Sequence, residues 1–594
     1  MKKYGVLLLC FIALLIMGRA AWAQAPGEDP RLRPAAYIGR LSAQKEPLTL
    51  DELISAALIF SGVRDADLPR FRTMFDSKIK GVRAYFKGRG VSPVLGDDLL
   101  QYMHHEYLRH YNVKQTRMDT LLESGDYNCV SSSVFYLILG RSLGFSVYGV
   151  KTVDHAFCTL QIGDNFYDVE TTSVFGFNPG EKKEFTDDFG KITGYAYVPP
   201  GNYSQRETIG EKELLSLILH NRVVLLLEQK QYAPAIGLAV DSFGLLGDEF
   251  TKDLLLQVFS QYASWAGGAH RFEDAAGTLE KAAAGYPRLP KLKELLGQVV
   301  IQWVLYDIEQ ARFAEAKQRI TDRQEAGVIG TNDYRDLMIY AYQKQAEYAA
   351  KHQGNKPALD VIEEGLGLFP ADSGLLKSKT LYTYNYIIEL VNTGSADQAL
   401  TLLAQNRIKS LITGRTYDEL LTYAYQKQAQ SVYEHRGTAA VLEFIRQGMA
   451  GLEDKNLLRQ VGEMYVFNHI KDLIKKREFP AADTALRGED ASVFLAAKSS
   501  NELRLYYYTA KAEWLSETSG YQAAAGCIEE GLAGLGKQTV LVNNYQVYIH
   551  NYAAELSAAG EYRKALDVLK RALQVLPGNS VFKKDKAIIE RNIN

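Results

Sequence analysis

The feature that most constrains this chain is a step of 83 residues at which its C-terminal part repeats itself. Tyr334-Arg-Asp-Leu-Met-Ile-Tyr-Ala-Tyr-Gln-Lys-Gln-Ala346 returns as Tyr417-Asp-Glu-Leu-Leu-Thr-Tyr-Ala-Tyr-Gln-Lys-Gln-Ala429 and, more faintly, as Ser500-Asn-Glu-Leu-Arg-Leu-Tyr-Tyr-Tyr-Thr-Ala-Lys-Ala512. The same step joins Leu279, Ile362, Ile445 and Ile528, then Pro287 and Pro370, and Ala316, Ala399, Ala482 and Ala565. Independent markers in one register mean tandem units. Each unit is too small to bury its own apolar face, so neighbours must stack to make a continuous core.

Each unit divides again. Ala275, Ala358 and Ala524 precede Ala316, Ala399 and Ala565 by 41 residues, so one unit is two helical hairpins. Ala565, Leu569, Ala572 and Pro577, with Gly560 at the turn, reproduce the spacing of tetratricopeptide repeats; Ala275, Leu279, Ala282 and Pro287 repeat it, as do Ala358, Ile362, Gly365 and Pro370. Small residues at fixed helix positions let two helices approach closely, and proline stops the second. Residues 209–594 therefore resemble a divergent tetratricopeptide-like all-α solenoid, with a HEAT-type array as the alternative. The resemblance implies a protein or peptide partner. Most repeat tyrosines, such as Tyr340, Tyr342, Tyr423 and Tyr425, are expected between helices, and any on the concave face would suit recognition.

At 594 residues with a formal net charge of -2 and no long runs of like charge, neither nucleic acid nor an anionic membrane is an indicated partner. Lys2 and Lys3, an apolar run from about Val6 to Met17 and the small-residue site Ala21-Trp22-Ala23 predict a signal peptide at residues 1–23 and an extracytoplasmic location, periplasmic or secreted. That run is shorter than a membrane span, and no later segment is apolar enough to be one. The mature chain keeps Cys129, Cys158 and Cys527. An odd number in an oxidising compartment leaves at least one thiol free.

Residues 28–204 have a mixed pattern, ending in the turn-rich stretch from Val198 to Asn202. From Gly125 to Gly144 small and polar residues lead into an apolar run, which predicts a buried helix with Cys129 in its first turn. A thiol there faces unpaired backbone N–H groups and the positive end of the helix dipole; it is either a nucleophile or a small hydrophobe at a helix start. Alternating segments follow, around Phe145–Val150, Asp154–Leu160 and Phe166–Thr172, with a turn at Gly163-Asp164-Asn165. They predict an antiparallel sheet that offers His155 on one strand and Asp168 and Glu170 on the next.

Cys129 in a Gly-x-x-x-Cys lead-in, His155 in His-Ala-Phe and Glu170 in Val-Glu-Thr-Thr together resemble the transglutaminase-like superfamily of cysteine hydrolases. The family commonly has an aspartate in a Val-Asp-Pro-Thr motif at the last place. Glu170 is the favoured third residue, and Asp168 shares its strand face. The resemblance implies an α+β N-terminal papain/transglutaminase-like domain followed by the all-α tetratricopeptide-like solenoid. It also implies that His155 takes the proton of Cys129, the acid orients the imidazolium, and the thiolate attacks an amide carbonyl to give an acyl-thioester. Water or an amine then resolves it. The expected function is an exported thiol amide hydrolase or acyltransferase whose repeats dock a protein or peptide. The alternative is a non-catalytic scaffold with a degenerate binding module.

Neither cofactor nor metal is expected. There is no Walker loop or dinucleotide fingerprint, and the spacing of His104, His105 and His110 does not match a helical zinc pair, so the three are expected on a solvated helix face. Cys158, three residues beyond His155, falls on the opposite strand face and is expected to be a core thiol.

Overall fold

The computed structural model describes residues 29–180, 183–194, 206–450, 452 and 454–593. The signal-peptide reading of residues 1–23 and the stretch from Val198 to Asn202 lie outside them. The chain forms two compact units, Met1–Ala341 and Tyr342–Asn594.

The first unit begins with helices at Ala36–Ala43, Leu50–Phe60, Leu68–Tyr85 and Pro93–Glu106. Their starts have local causes. Thr49 and Glu52 form a reciprocal capping box before Leu50, and Ser92 accepts from the Leu95 N–H ahead of Pro93. β1 (His110–Tyr111) and β2 (Asp126–Tyr127) pair in parallel around a short helix at Met118–Ser124. β2 then delivers the chain into the helix Cys129–Ser142, the cysteine helix. Every residue from Cys129 to Gly140 is buried, so this is a central helix without a solvent face.

β3 (Ser146–Lys151), β4 (Ala156–Ile162), β5 (Asn165–Val169) and β6 (Glu207–Ile209) form an antiparallel sheet in the order β5-β4-β3-β6. β4 turns into β5 at Gly163, whose φ is 60°.

A distinct N-terminal α+β papain/transglutaminase-like domain, set apart from an all-α solenoid, is not what the chain forms. Of the described residues 75 % are helical, and the sheet closes off no domain of its own. Leu214, Leu215 and Ile218 of the helix Glu211–Glu228 share one apolar core with Phe135, Leu139, Val147 and Leu160. The start of that helix is also fastened to the preceding elements. Glu211 accepts from the Leu48 N–H at 2.6 Å and pairs with Arg141 at 3.1 Å, while the Glu46 carboxylate takes the N–H groups of Glu211 and Lys212. The physical reason lies in the segment Leu214–Leu219, every residue of which is buried. A helix apolar on all sides needs a wall on each, and the sheet supplies one. The change of pattern near residue 209 thus falls inside one packing unit.

From Glu211 onward the chain is a succession of helical hairpins. The turn inside each carries one residue in the left-handed region: Lys230, His270, Ala311, Gly354, Gly394, Gly437, Arg477, Gly520 and Gly560, with φ from 56° to 102°. Gly354, Gly437 and Gly520 are 83 residues apart, and so are Ala311, Gly394, Arg477 and Gly560. At the first three, ψ lies close to 180° (175°, -175° and 171°). Only glycine adopts that combination without severe strain. The helix markers obey the same register. Leu279, Ile362, Ile445 and Ile528, and Ala316, Ala399, Ala482 and Ala565, all have 0 % exposure. No helix among the described residues is long and apolar enough to cross a membrane.

Candidate functional site

Cys129 is the first residue of the cysteine helix, and the sequence around it explains why the helix starts there. The Asn128 side chain accepts from the N–H groups of Val130 and Ser131 at 3.1 and 2.9 Å, and Ser131 Oγ accepts from the Asn128 N–H at 2.9 Å. Among the described residues the Cys129 N–H has no acceptor. It stays a donor at the positive end of the helix dipole, beside its own thiol. Three buried serines follow, each satisfied. Ser132 Oγ donates to the Asn128 carbonyl at 2.8 Å, Ser133 Oγ donates to the Cys129 carbonyl at 2.7 Å, and both meet Thr171 Oγ1 at 2.8 and 3.0 Å. Ser131 Oγ reaches the Gln115 carbonyl at 3.2 Å. These bonds fasten the helix start to the residue after Glu170.

His155 immediately precedes β4 and Glu170 immediately follows β5. The register Cys158↔Val169 sets Glu170 across from Phe157, on the strand face that His155 shares. His155 donates from Nε2 to Glu170 Oε2 at 2.7 Å. The other carboxylate oxygen accepts from the Thr172 N–H at 3.1 Å and the Thr172 hydroxyl at 2.7 Å. Burial opposes charge on the imidazole, but the charges of Glu170 and of Cys129 beside it outweigh that cost and hold its pKa well above the ordinary histidine value. The ring is walled by Phe157, stacked at 6.2 Å, and by the edge of Phe189 at 5.4 Å, from the helix Lys183–Thr193.

Asp168 is placed elsewhere. Its carboxylate is gripped by both terminal nitrogens of Arg206, Nη1 to Oδ2 at 2.6 Å, and Arg206 lies 5.2 Å over the Phe157 ring. The structure thus brings Cys129, His155 and Glu170 together, while Asp168 anchors an arginine.

His105 and His110 are exposed, but His104 is not on a solvated face. It donates from Nε2 to the Thr171 carbonyl at 3.1 Å, and burial lowers its pKa to about 4. Cys158 is fully buried and donates to the Ser133 carbonyl at 3.3 Å; burial pushes its thiol far above the ordinary range. Burial pushes the Cys527 thiol up to about 11. Among the described residues no group of three or more His, Cys, Asp or Glu side chains is placed to hold a metal ion.

Cys129 and His155 open onto a cleft of about 620 Å³. Asn128 and the β3–β4 connection line one side. The other side comes from the helix Glu211–Glu228 and from Phe250, at the start of the helix Glu249–Gly268. Sequence reasoning missed that second wall, as it missed Arg206 and Phe189. Thr172 was in view as part of Val-Glu-Thr-Thr, and its hydroxyl two residues from Glu170 was the one signal for its role.

No family model matches the sequence, and no curated protein matches it. Similar solved structures include the TPR domain of P58(IPK), at 13% identity over 63% of this chain and 97% of that chain, TM-score 0.14. Naa15/Naa10 bound to HypK-THB is similar at 14% identity over 64% of this chain and 56% of that chain, TM-score 0.19. The human IFIT1 dimer with m7Gppp-AAAA is similar at 12% identity over 63% of this chain and 79% of that chain, TM-score 0.13. This chain thus spans little more than half of the second. At TM-scores of this size the likeness adds nothing to the evidence of the chain's own hairpins, whose register makes it a helical-repeat protein.

Proposed function

We propose that Cys129, His155 and Glu170 are the nucleophile, general acid–base and orienting carboxylate of an exported thiol enzyme. It is an amide hydrolase or acyltransferase acting on protein or peptide substrates that dock on the helical repeats. One observation carries this reading: the His155 ring, hydrogen-bonded to Glu170 and under the charge of Cys129, shares with that thiol the wall of an open cleft. An imidazolium held between a carboxylate and a thiol is the partner a thiolate nucleophile requires. In the reaction the Cys129 sulfur bonds to an amide carbonyl carbon, and the Cys129 N–H is a donor for the oxygen as it gains charge. The C–N bond then breaks as His155 gives its proton to the leaving amine. Water or a second amine, deprotonated by His155, releases the acyl group and restores the thiol. The order of cysteine, histidine and acid resembles that of transglutaminase-like proteins and supports the same chemistry.

A second reading, a non-catalytic extracytoplasmic scaffold with the cleft as a binding module, has its own support. In the second unit the first helices of five consecutive hairpins carry exposed apolar side chains, among them Leu381, Tyr433, Met464, Tyr506 and Val547. Leu381, Met464 and Val547 are 54%, 49% and 50% exposed at 83-residue steps. Such a stripe suits a protein partner.

Incubation with an amide-derived thiol electrophile, read by intact mass, separates the two. Modification at Cys129 that is lost in His155→Ala is the outcome expected of the enzyme. Modification that ignores His155, or its absence from the wild-type protein, leaves the scaffold.

A further inference from the structure

We propose that the cleft contains an apolar subsite built by the first helices of the repeat array, and that it selects peptides with a bulky aliphatic or aromatic side chain beside the bond attacked. This rests on the thiol reading of Cys129 and names the substrate class for it. Leu217, Asn221, Val224, Leu225 and Glu228 line the cleft. Their spacing of four, three, one and three residues is that of a single helix face. An array helix therefore turns Leu217, Val224 and Leu225 toward the cleft, beside His220, Asn221 and Glu228. Val224 is 39% exposed and Phe250 is 38% exposed, and both line the cleft.

Phe250 is held ready. Its ring stacks on His220 at 4.9 Å and 24°, and Lys151 Nζ lies 5.2 Å from its centroid. An aromatic plate fixed in this way loses little freedom when a ligand covers it. The lysines lining the cleft are already paired. Lys114 Nζ meets Glu228 at 2.6 Å, and Lys151 is engaged by Glu213 and, at 3.1 Å, by Glu207. With these cations neutralised, an acidic side chain finds no partner to replace its water. A space of about 620 Å³ admits a segment of a few residues.

The test uses the full chain and two kinds of probe. Iodoacetamide reads the thiol alone. Peptidyl chloromethyl ketones with a benzyl, isobutyl or carboxyethyl side chain read the subsite, with rates at Cys129 followed by intact mass. The benzyl and isobutyl probes should react roughly ten- to a hundredfold faster than the carboxyethyl probe. Val224→Ser and, separately, Phe250→Ala should each erase most of that preference, with each ketone rate divided by the iodoacetamide rate of the same variant. Iodoacetamide alkylation that still depends on His155 reports a folded site in each variant. Equal rates for the three ketones, or a preference that survives both substitutions, overturns the subsite while the thiol reading stands. If iodoacetamide modification of Cys129 does not depend on His155, the thiol reading fails and takes the subsite with it.

Discussion

Gly176 lies against the backbone of Glu170 so closely that a Cβ there would stand 1.9 Å from the Glu170 carbonyl oxygen. The Glu170 N–H donates to the Gly176 carbonyl at 2.8 Å, closing the turn that follows β5. No flexible side chain can yield to relieve that clash, because the obstructing atom is main chain. Gly176→Ala should therefore displace Glu170 from His155 and cost on the order of 1–3 kcal/mol. Thermal unfolding checks the cost, and the His155-dependent rate of thiol alkylation checks the displacement. A variant as stable and as reactive as wild type would show that this turn does not seat the carboxylate.

His104 gives a prediction with a sign. Burial lowers its folded pKa to about 4, from about 6.5 when unfolded. A depressed histidine is neutral in the fold, so its contribution is intact above the unfolded value and is lost as pH falls from 6.5 toward 4. The loss amounts to roughly 3 kcal/mol by pH 4. His104→Gln can still donate to the Thr171 carbonyl but does not titrate. Its stability should fall less steeply than that of the wild type across this window in urea titrations. Parallel curves would mean that other groups carry the acid sensitivity.

The repeat register makes two opposite predictions. Ala399 is fully buried, and Ala399→Leu should overpack its hairpin and cost on the order of 1–3 kcal/mol. Ala311 has φ 57° at a turn where its counterparts Gly394 and Gly560 are glycines. Ala311→Gly should relieve left-handed strain of about 1–2 kcal/mol. It gives back about 0.5–1 in unfolded-chain entropy, for a small net gain in melting temperature. A destabilised glycine variant would mean that the turn is not strained.

These cases show which features the sequence displayed. The register was legible at the buried alanines because close helix contact tolerates only small residues, and at Gly354, Gly437 and Gly520 because no other residue adopts that backbone conformation. It was masked at Lys230, His270, Ala311 and Arg477, where larger residues bear the same left-handed turn. Cys129, His155 and Glu170 could be singled out because a helix start and two strand ends have local patterns. Arg206 could not, since its bond to Asp168 joins residues 38 apart in sequence. The separate α+β domain was misread because a change of periodicity near residue 209 does not show which surface the buried residues Leu214–Leu219 will cover. That surface is the sheet, and the same packing supplies the second wall of the cleft.

The two carboxylates of β5 and its end should separate cleanly by substitution. Glu170 accepts from His155 Nε2, and Asp168 is held by Arg206. In Glu170→Gln the charge that keeps the imidazole protonated is removed, and the amide can present N–H instead of oxygen to the ring, favouring the wrong tautomer. Thiol alkylation at neutral pH should fall roughly a hundred- to ten-thousandfold, and its pH profile should shift because the histidine pKa drops toward its ordinary value. The sign for stability is equally definite. A raised histidine pKa contributes stability that is fully present below about pH 6.5 and is lost as pH rises through the folded value, so the variant should lose more stability at pH 6 than at alkaline pH. Asp168→Asn removes the carboxylate that grips Arg206 without touching the ring. It should lower the melting temperature because a largely buried ion pair loses one of its charges, yet leave the alkylation pH profile in place. If Asp168→Asn shifts that profile as far as Glu170→Gln does, the orienting role belongs to both carboxylates.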